Sequence, residues 1–203
     1  MKVRVWAGLA SVAGLAFVIV SCGKNEQPAE KAPAAAAPAA VAPIDPATVG
    51  SISGTVKLDG AAPKARPLNM AADAACAGAH SSPVADPEVV VGAGGTLGNV
   101  IVYVKEGLGN RTFDAPKGPA ELNQQGCMYS PHIVAMMAGQ TLAVKNSDKT
   151  THNIHPIPKN NKEWNKSQPP SSPDLQEVFA REEVAIPVKC NVHPWMKSYI
   201  AVF

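Results

Sequence analysis

The sequence predicts an all-β domain, a sandwich of antiparallel strands, over residues 49–203. Two observations carry that expectation. Short runs of alternating or β-branched residues recur between glycine and proline punctuation. No window sustains a 3.6-residue apolar period, so helices should be short and few. A region of this size can bury a single good core.

Ahead of the domain the chain changes character twice. Lys2 and Arg4 precede an apolar run from Leu9 to Val20, and Ser21 is a small residue before Cys22. Residues 1–21 therefore read as an export signal, too short and wrongly flanked for a stable membrane span. The tetrad Ile19-Val20-Ser21-Cys22 resembles a bacterial lipobox, which implies that Cys22 is lipidated and begins the mature protein. Each buried lipid methylene contributes about 0.8 kcal/mol, so two or three chains would hold the protein to a bilayer. Gly23 follows the cysteine where an aspartate would signal retention, and this resemblance implies the periplasmic or cell-surface face of the envelope and, if the cell is Gram-negative, the outer membrane. Residues 22–48 are rich in alanine and proline, among them Pro28, Pro33, Pro38, Pro43 and Pro46. Such a stretch cannot bury enough surface to order itself and reads as a semi-extended tether.

Within the domain, Ile52, Gly54, Val56 and Leu58 share one parity before a turn signal at Asp59-Gly60, which predicts a strand. Asn99 to Lys105 is apolar on both faces, as a central strand would be. Thr141 to Asn146 alternates, with Leu142 and Val144 on one face. Val184, Ile186 and Val188 do the same, and Tyr199 to Phe203 is a closing apolar run. Residues 61–97, rich in alanine and glycine, and the proline-rich stretch 155–177 read as long loops. The first has room for one short helical turn.

Cysteine counting supplies the next constraint. An exported chain with a lipidated Cys22 keeps Cys76, Cys127 and Cys190, and an odd thiol in an oxidising compartment needs a reason. Cys190 has one, because it alone lies in a cluster of metal-ligating types, Cys190-Asn191-Val192-His193-Pro194-Trp195-Met196. By elimination Cys76 and Cys127 pair.

A thiolate, two imidazoles and a weak, long axial thioether form the donor set of a mononuclear type 1 copper. Cys190, His193 and Met196 provide three of the four on one loop, and Cys190 shares the inward parity of Val184, Ile186 and Val188. The second imidazole must come from another loop, and His152 and His155 are the candidates. Tyr129-Ser130-Pro131, Gly139, Leu142, Val144, Asn146 and His152-Asn153 resemble the first half of the cupredoxin signature, and Cys190-x-x-His193-x-x-Met196 its second half. The cysteine-to-methionine spacing is similar to that of amicyanin. The resemblance covers residues 129–203 and implies a Greek-key sandwich holding one copper through His152, Cys190, His193 and Met196. It gives Asn153 the work of tying the two ligand loops together. Val188 stands where many cupredoxins have an aromatic residue two positions before the copper cysteine.

The remaining histidines have plainer readings. His155 is the alternative donor to His152, and otherwise bonds locally. His132 reads as a structural histidine on a strand and His80 as a solvated one. Met136 and Met137 are adjacent on a strand and must face opposite sides, which argues against a thioether site for cuprous ion beside Met128.

These residues imply a single-electron carrier in the bacterial envelope, with His193 presenting its far edge at the surface inside a collar of Pro194 and Trp195. Its partners would be redox proteins such as c-type cytochromes or a dehydrogenase or oxidase. The alternative is a periplasmic copper carrier or scavenger without a redox role. An enzyme is disfavoured, because no His-x-His pair is present and Lys189 and Asn191, not histidines, flank Cys190. A net charge of +2 with no basic stripe argues against nucleic acid.

Overall fold

The computed structural model describes residues 46–203 apart from Asn110 and Thr112. The export signal, Cys22 and the tether up to residue 45 lie outside the described residues. Contacts divide the chain into two units, Met1–Ala40 and Val41–Phe203. Every described residue belongs to the second.

Nine strands among the described residues form two sheets. They are β1 (Ala120–Gln125), β2 (Met128–Ser130), β3 (Ile133–Met136), β4 (Thr141–Asn146), β5 (His152–Pro156), β6 (Lys166–Gln168), β7 (Leu175–Val178), β8 (Glu183–Lys189) and β9 (Lys197–Val202). One sheet runs β2-β1-β4-β7 and the other β3-β9-β8-β5-β6. Most neighbours are antiparallel, but β1 lies parallel to β4 and β3 parallel to β9. The all-β, two-sheet fold expected from the sequence is the fold observed.

Alternation explains the core. Leu122 on β1 and Leu142 and Val144 on β4 are fully buried, with Leu122 paired in register to Val144. From the other sheet Val134, Ile154, Ile186, Val188, Ile200 and Val202 join them. Each such side chain contributes about 1.5–3 kcal/mol by leaving water. The polar strand β1, which lacks an apolar alternation, also buries Gln124. Its Nε2 donates to Gln168 Oε1 on β6 at 2.7 Å and to Lys145 O, while Gln168 Nε2 donates to Val144 O at 2.9 Å. This amide pair spans from one sheet to the other.

Several sequence expectations are corrected. Residues 52–58 form no strand: Ile52 is almost wholly exposed and only an isolated bridge joins Lys57 to Thr96. Residues 99–105 likewise find no neighbour to complete a ladder. Val102 and Val104 face solvent, and the Tyr103 ring meets Phe203 at 5.1 Å. Val184 departs from the parity of Ile186 and Val188, because a register shift between Glu183 and Ile186, with Ala185 at φ 63°, turns it outward. The stretch 155–177 is not wholly loop, since it contains β6. Residues 61–97 do hold one helical turn, α1 (Ala74–Gly78).

His132 lies in the turn between β2 and β3, edge-on to Tyr199 at 5.8 Å, rather than on a strand. Its Nδ1 is buried with no hydrogen-bond partner among the described residues. Burial pushes its pKa below the ordinary value of 6.5, against the attraction of Asp86 and Glu88. The unfolded chain therefore takes up this proton first as pH falls. The resulting stability is complete above the unfolded pKa and is lost as pH drops through the folded one. His132→Phe is expected to flatten the fall in urea midpoint between about pH 7.5 and 5.5, with His152 contributing what slope remains. A slope equal to that of the parent would contradict this account.

Candidate metal centre

Two loops at one end of the sandwich bring the ligating residues together. His152 opens β5, following the 147–151 turn that leaves β4. Cys190 follows the last residue of β8, and the loop it begins closes on itself: Cys190 N donates to Met196 O at 3.2 Å and Met196 N to His193 O at 2.9 Å. Met196 is fully buried. Asn153 fastens one loop to the other. Its Oδ1 accepts from Asn191 N at 2.6 Å, from Val192 N at 3.3 Å and from the Cys190 thiol at 3.3 Å. Its Nδ2 donates to Asn165 Oδ1 at 2.5 Å. Tyr129, another residue of the sequence motif, donates its hydroxyl to Asn153 O at 2.6 Å. Burial, and then the charge of Cys190, hold the Tyr129 phenol far above its usual pKa, so it remains a donor.

His152, Cys190 and His193 converge, and their ligand atoms all lie within 4.8 Å of one another. The two Nδ1 atoms face each other at 2.9 Å, and Cys190 Sγ is 3.9 Å from His193 Nδ1. Two backbone N–H groups aim at this sulfur, from His193 at 3.4 Å and Asn153 at 3.5 Å. All three residues are at most 2 % exposed.

The outer nitrogens are engaged as well. His152 Nε2 lies 2.8 Å from Asp148 Oδ2 and His193 Nε2 lies 3.1 Å from Asp73 Oδ2. A carboxylate only accepts, so each Nε2 carries the proton and each Nδ1 is left with its lone pair. Two such lone pairs at 2.9 Å repel unless a proton or a cation lies between them. Burial also lowers the His152 pKa, the pull of Asp148 notwithstanding, and favours the neutral, ligating ring. Two imidazoles and a thiol converging in a buried space suit a borderline or soft cation such as copper.

The other sequence-singled residues fall outside this cluster. His155 turns away, its Nδ1 3.1 Å from Asn191 Oδ1 and its Nε2 2.6 Å from Glu163 Oε1, so it bonds locally. Cys76 and Cys127 are joined, their Sγ atoms 2.02 Å apart. His80 is half-buried rather than solvated, with Nε2 2.7 Å from Gly126 O.

The expected surface edge of His193 requires correction. The ring is 2 % exposed, and its Nε2 side meets Asp73 and, at 3.7 Å, Cys76 Sγ. Helix α1 covers it. Trp195 does pack on the ring, 5.0 Å between centroids, while its Nε1 donates to Cys127 O. Asp73 and Asp148 were not anticipated. The four-residue spacing of Asp148 and His152 is a local signal that could have found the second. Nothing local links Asp73 to a histidine 120 positions later.

No family model and no curated protein matches this chain. Solved structures similar to it include a copper-containing nitrite reductase from Thermus scotoductus SA-01, 17% identical over 48% of this chain, with a TM-score of 0.39. The chain spans 25% of that enzyme's length. A purple cupredoxin from Nitrosopumilus maritimus is 25% identical over 41% of this chain and 99% of its own, at TM-score 0.36. Amicyanin from Paracoccus versutus is 18% identical over 44% of this chain and 86% of its own, at TM-score 0.37. Likenesses at this level say nothing of the chemistry here, which rests on the chain's own donors.

Proposed function

We propose that the domain is a cupredoxin that holds one type 1 copper through His152 Nδ1, His193 Nδ1 and Cys190 Sγ, with Met196 as the weak axial donor, and carries single electrons. The observation that supports this most is the convergence of two imidazole Nδ1 atoms and a thiol in a closed, buried space. A bound copper supplies reversible one-electron chemistry. The chain's own part is to hold the donors in one geometry and exclude water. Enclosure also favours a carrier over an enzyme, because the three donors leave no open face for a substrate.

The signal, lipobox and tether of the sequence support a protein lipid-anchored through Cys22 on the periplasmic or cell-surface face of the envelope, at the outer membrane if the cell is Gram-negative. Its partners there would be redox proteins such as c-type cytochromes or a dehydrogenase or oxidase. Cys22→Ala should move the protein from the membrane fraction to the soluble one.

Loading the purified protein with copper tests the central reading. One copper per chain, a strong visible thiolate-to-copper absorption and a reversible one-electron wave are expected. Copper bound without that absorption would mark a carrier or scavenger instead. Met196→Gln should retain the metal and lower the potential, since an amide oxygen favours cupric ion and the three other donors dominate affinity. Complete loss of copper in that variant would show that Met196 does more than tune.

A further inference from the structure

We infer that Asp73 and Asp148 are positioning residues of the metal centre, each holding the outer nitrogen of one histidine, and that the Cys76–Cys127 disulfide joins their two turns into a single bracket. The inference deepens the proposed copper function and rests on it. In each carboxylate Oδ2 accepts from the histidine, and Oδ1 accepts from backbone N–H groups. Asp73 Oδ1 caps α1, accepting from Ala75 N at 2.8 Å and Cys76 N at 3.0 Å, and leaves Oδ2 for His193 Nε2 and the Thr150 hydroxyl. Asp148 Oδ1 accepts from Gly126 N at 2.7 Å, and its Oδ2 accepts from Cys127 N and His152 Nε2, both at 2.8 Å.

Each carboxylate is thus fixed by the backbone of a disulfide cysteine, one partner of the bond on each side. Cys76 is the third residue of α1, and Cys127 lies in the β1–β2 turn at φ 55°. Asp73, Cys76 and His193 form one close cluster, and Cys127, Asp148 and His152 another. With the sulfurs bonded to each other they offer no thiolate to a second ion. The Cys76 N–H, followed by the His193 ring, holds the Asp73 carboxyl below the usual carboxylate range, so it stays charged.

A carboxylate on the far N–H of a ligating histidine orients the ring and makes it a stronger donor. Removing such a partner typically costs about 10–100-fold in metal affinity. A stronger donor favours cupric over cuprous ion, so each carboxylate lowers the potential.

Asp73→Asn keeps an N-cap for α1, because asparagine caps as well as aspartate, but it removes the charge and puts an amide NH2, which cannot accept, in place of the oxygen facing His193 Nε2. Asp148→Asn makes the corresponding change at the other ring. Measured on the whole chain in detergent, each is expected to weaken cupric affinity about 10–100-fold and to shift the potential upward with the visible absorption retained. Parent-like affinity and potential in both variants would overturn the inference while leaving the copper function intact. A parent without the thiolate-to-copper absorption would instead remove that function. Nitrogen-15 NMR of the metal-free protein decides the positioning role independently of copper. Both rings should show a protected Nε2–H, with His193 losing it in the first variant and His152 in the second. An unprotonated Nε2 on either ring of the parent would overturn the inference.

Discussion

Asn153→Ala is expected to destabilise the protein by about 2–4 kcal/mol and to hasten release of bound metal. The amide oxygen of Asn153 receives two backbone N–H groups, from Asn191 and Val192, and the Cys190 thiol. Alanine offers none of these an acceptor, and each partly buried donor left without one costs about 1–3 kcal/mol. Asn165 Oδ1 loses its donor at the same time. The loop from Cys190 to Met196 would then be held to β5 chiefly through backbone, including the Asn153 N–H on Cys190 Sγ. Urea unfolding and competition with a copper chelator measure the two effects. A loss below about 0.5 kcal/mol, the range of ordinary surface substitutions, would show that these bonds are replaced when the amide is gone.

The double variant Cys76→Ser, Cys127→Ser should lose about 4 kcal/mol. The cysteines are separated by 51 positions, and the chain-entropy account of a closed loop of that length gives this figure. Equilibrium unfolding of the variant, and of the parent with and without a thiol reductant, reads it. The reduced parent should approach the variant. A difference under about 1 kcal/mol would mean that the unlinked chain is already restrained near residues 68–85. Bridges and hydrogen bonds there, such as Leu68 N to Val84 O at 2.8 Å, are the candidates.

What the sequence disclosed depended on whether the cause was local. Strand β4 was legible from Thr141 to Asn146 because one buried face reads directly as Leu142 and Val144. The Cys190-to-Met196 loop was legible because Cys190, His193 and Met196, all of metal-ligating type, are three residues apart. Strand β1 was not, since Glu121, Asn123, Gln124 and Gln125 surround one leucine and the burial of Gln124 depends on an amide 44 positions away. Residues 99–105 failed in the opposite sense. Their pattern is strand-like, but a strand needs a partner for its ladder, and partner availability is not written in the segment itself. The outward turn of Val184 followed from a bulge, which shifts parity without changing composition. The cover over His193 has the same character, because Asp73 meets that ring only once the first loop has folded back over the site.

The amides of Gln124 and Gln168 act as a key between the two sheets. Apolar faces tolerate sliding, since one buried methyl is much like the next, whereas the hydrogen bonds of paired amides form in one alignment only. Gln168 stands opposite His152 in the β5–β6 ladder, and Gln124 stands opposite Asn146 in the β1–β4 ladder. His152 belongs to one sheet, and Asp148 hangs two residues beyond the end of β4 in the other. A slip of the sheets by a single residue would break the two hydrogen bonds that cross between them, from Gln124 Nε2 to Gln168 Oε1 and from Gln168 Nε2 to Val144 O. It would also carry the imidazole past its carboxylate. The height at which the histidine meets its partners is thereby set by two uncharged side chains that make no ion pair with either.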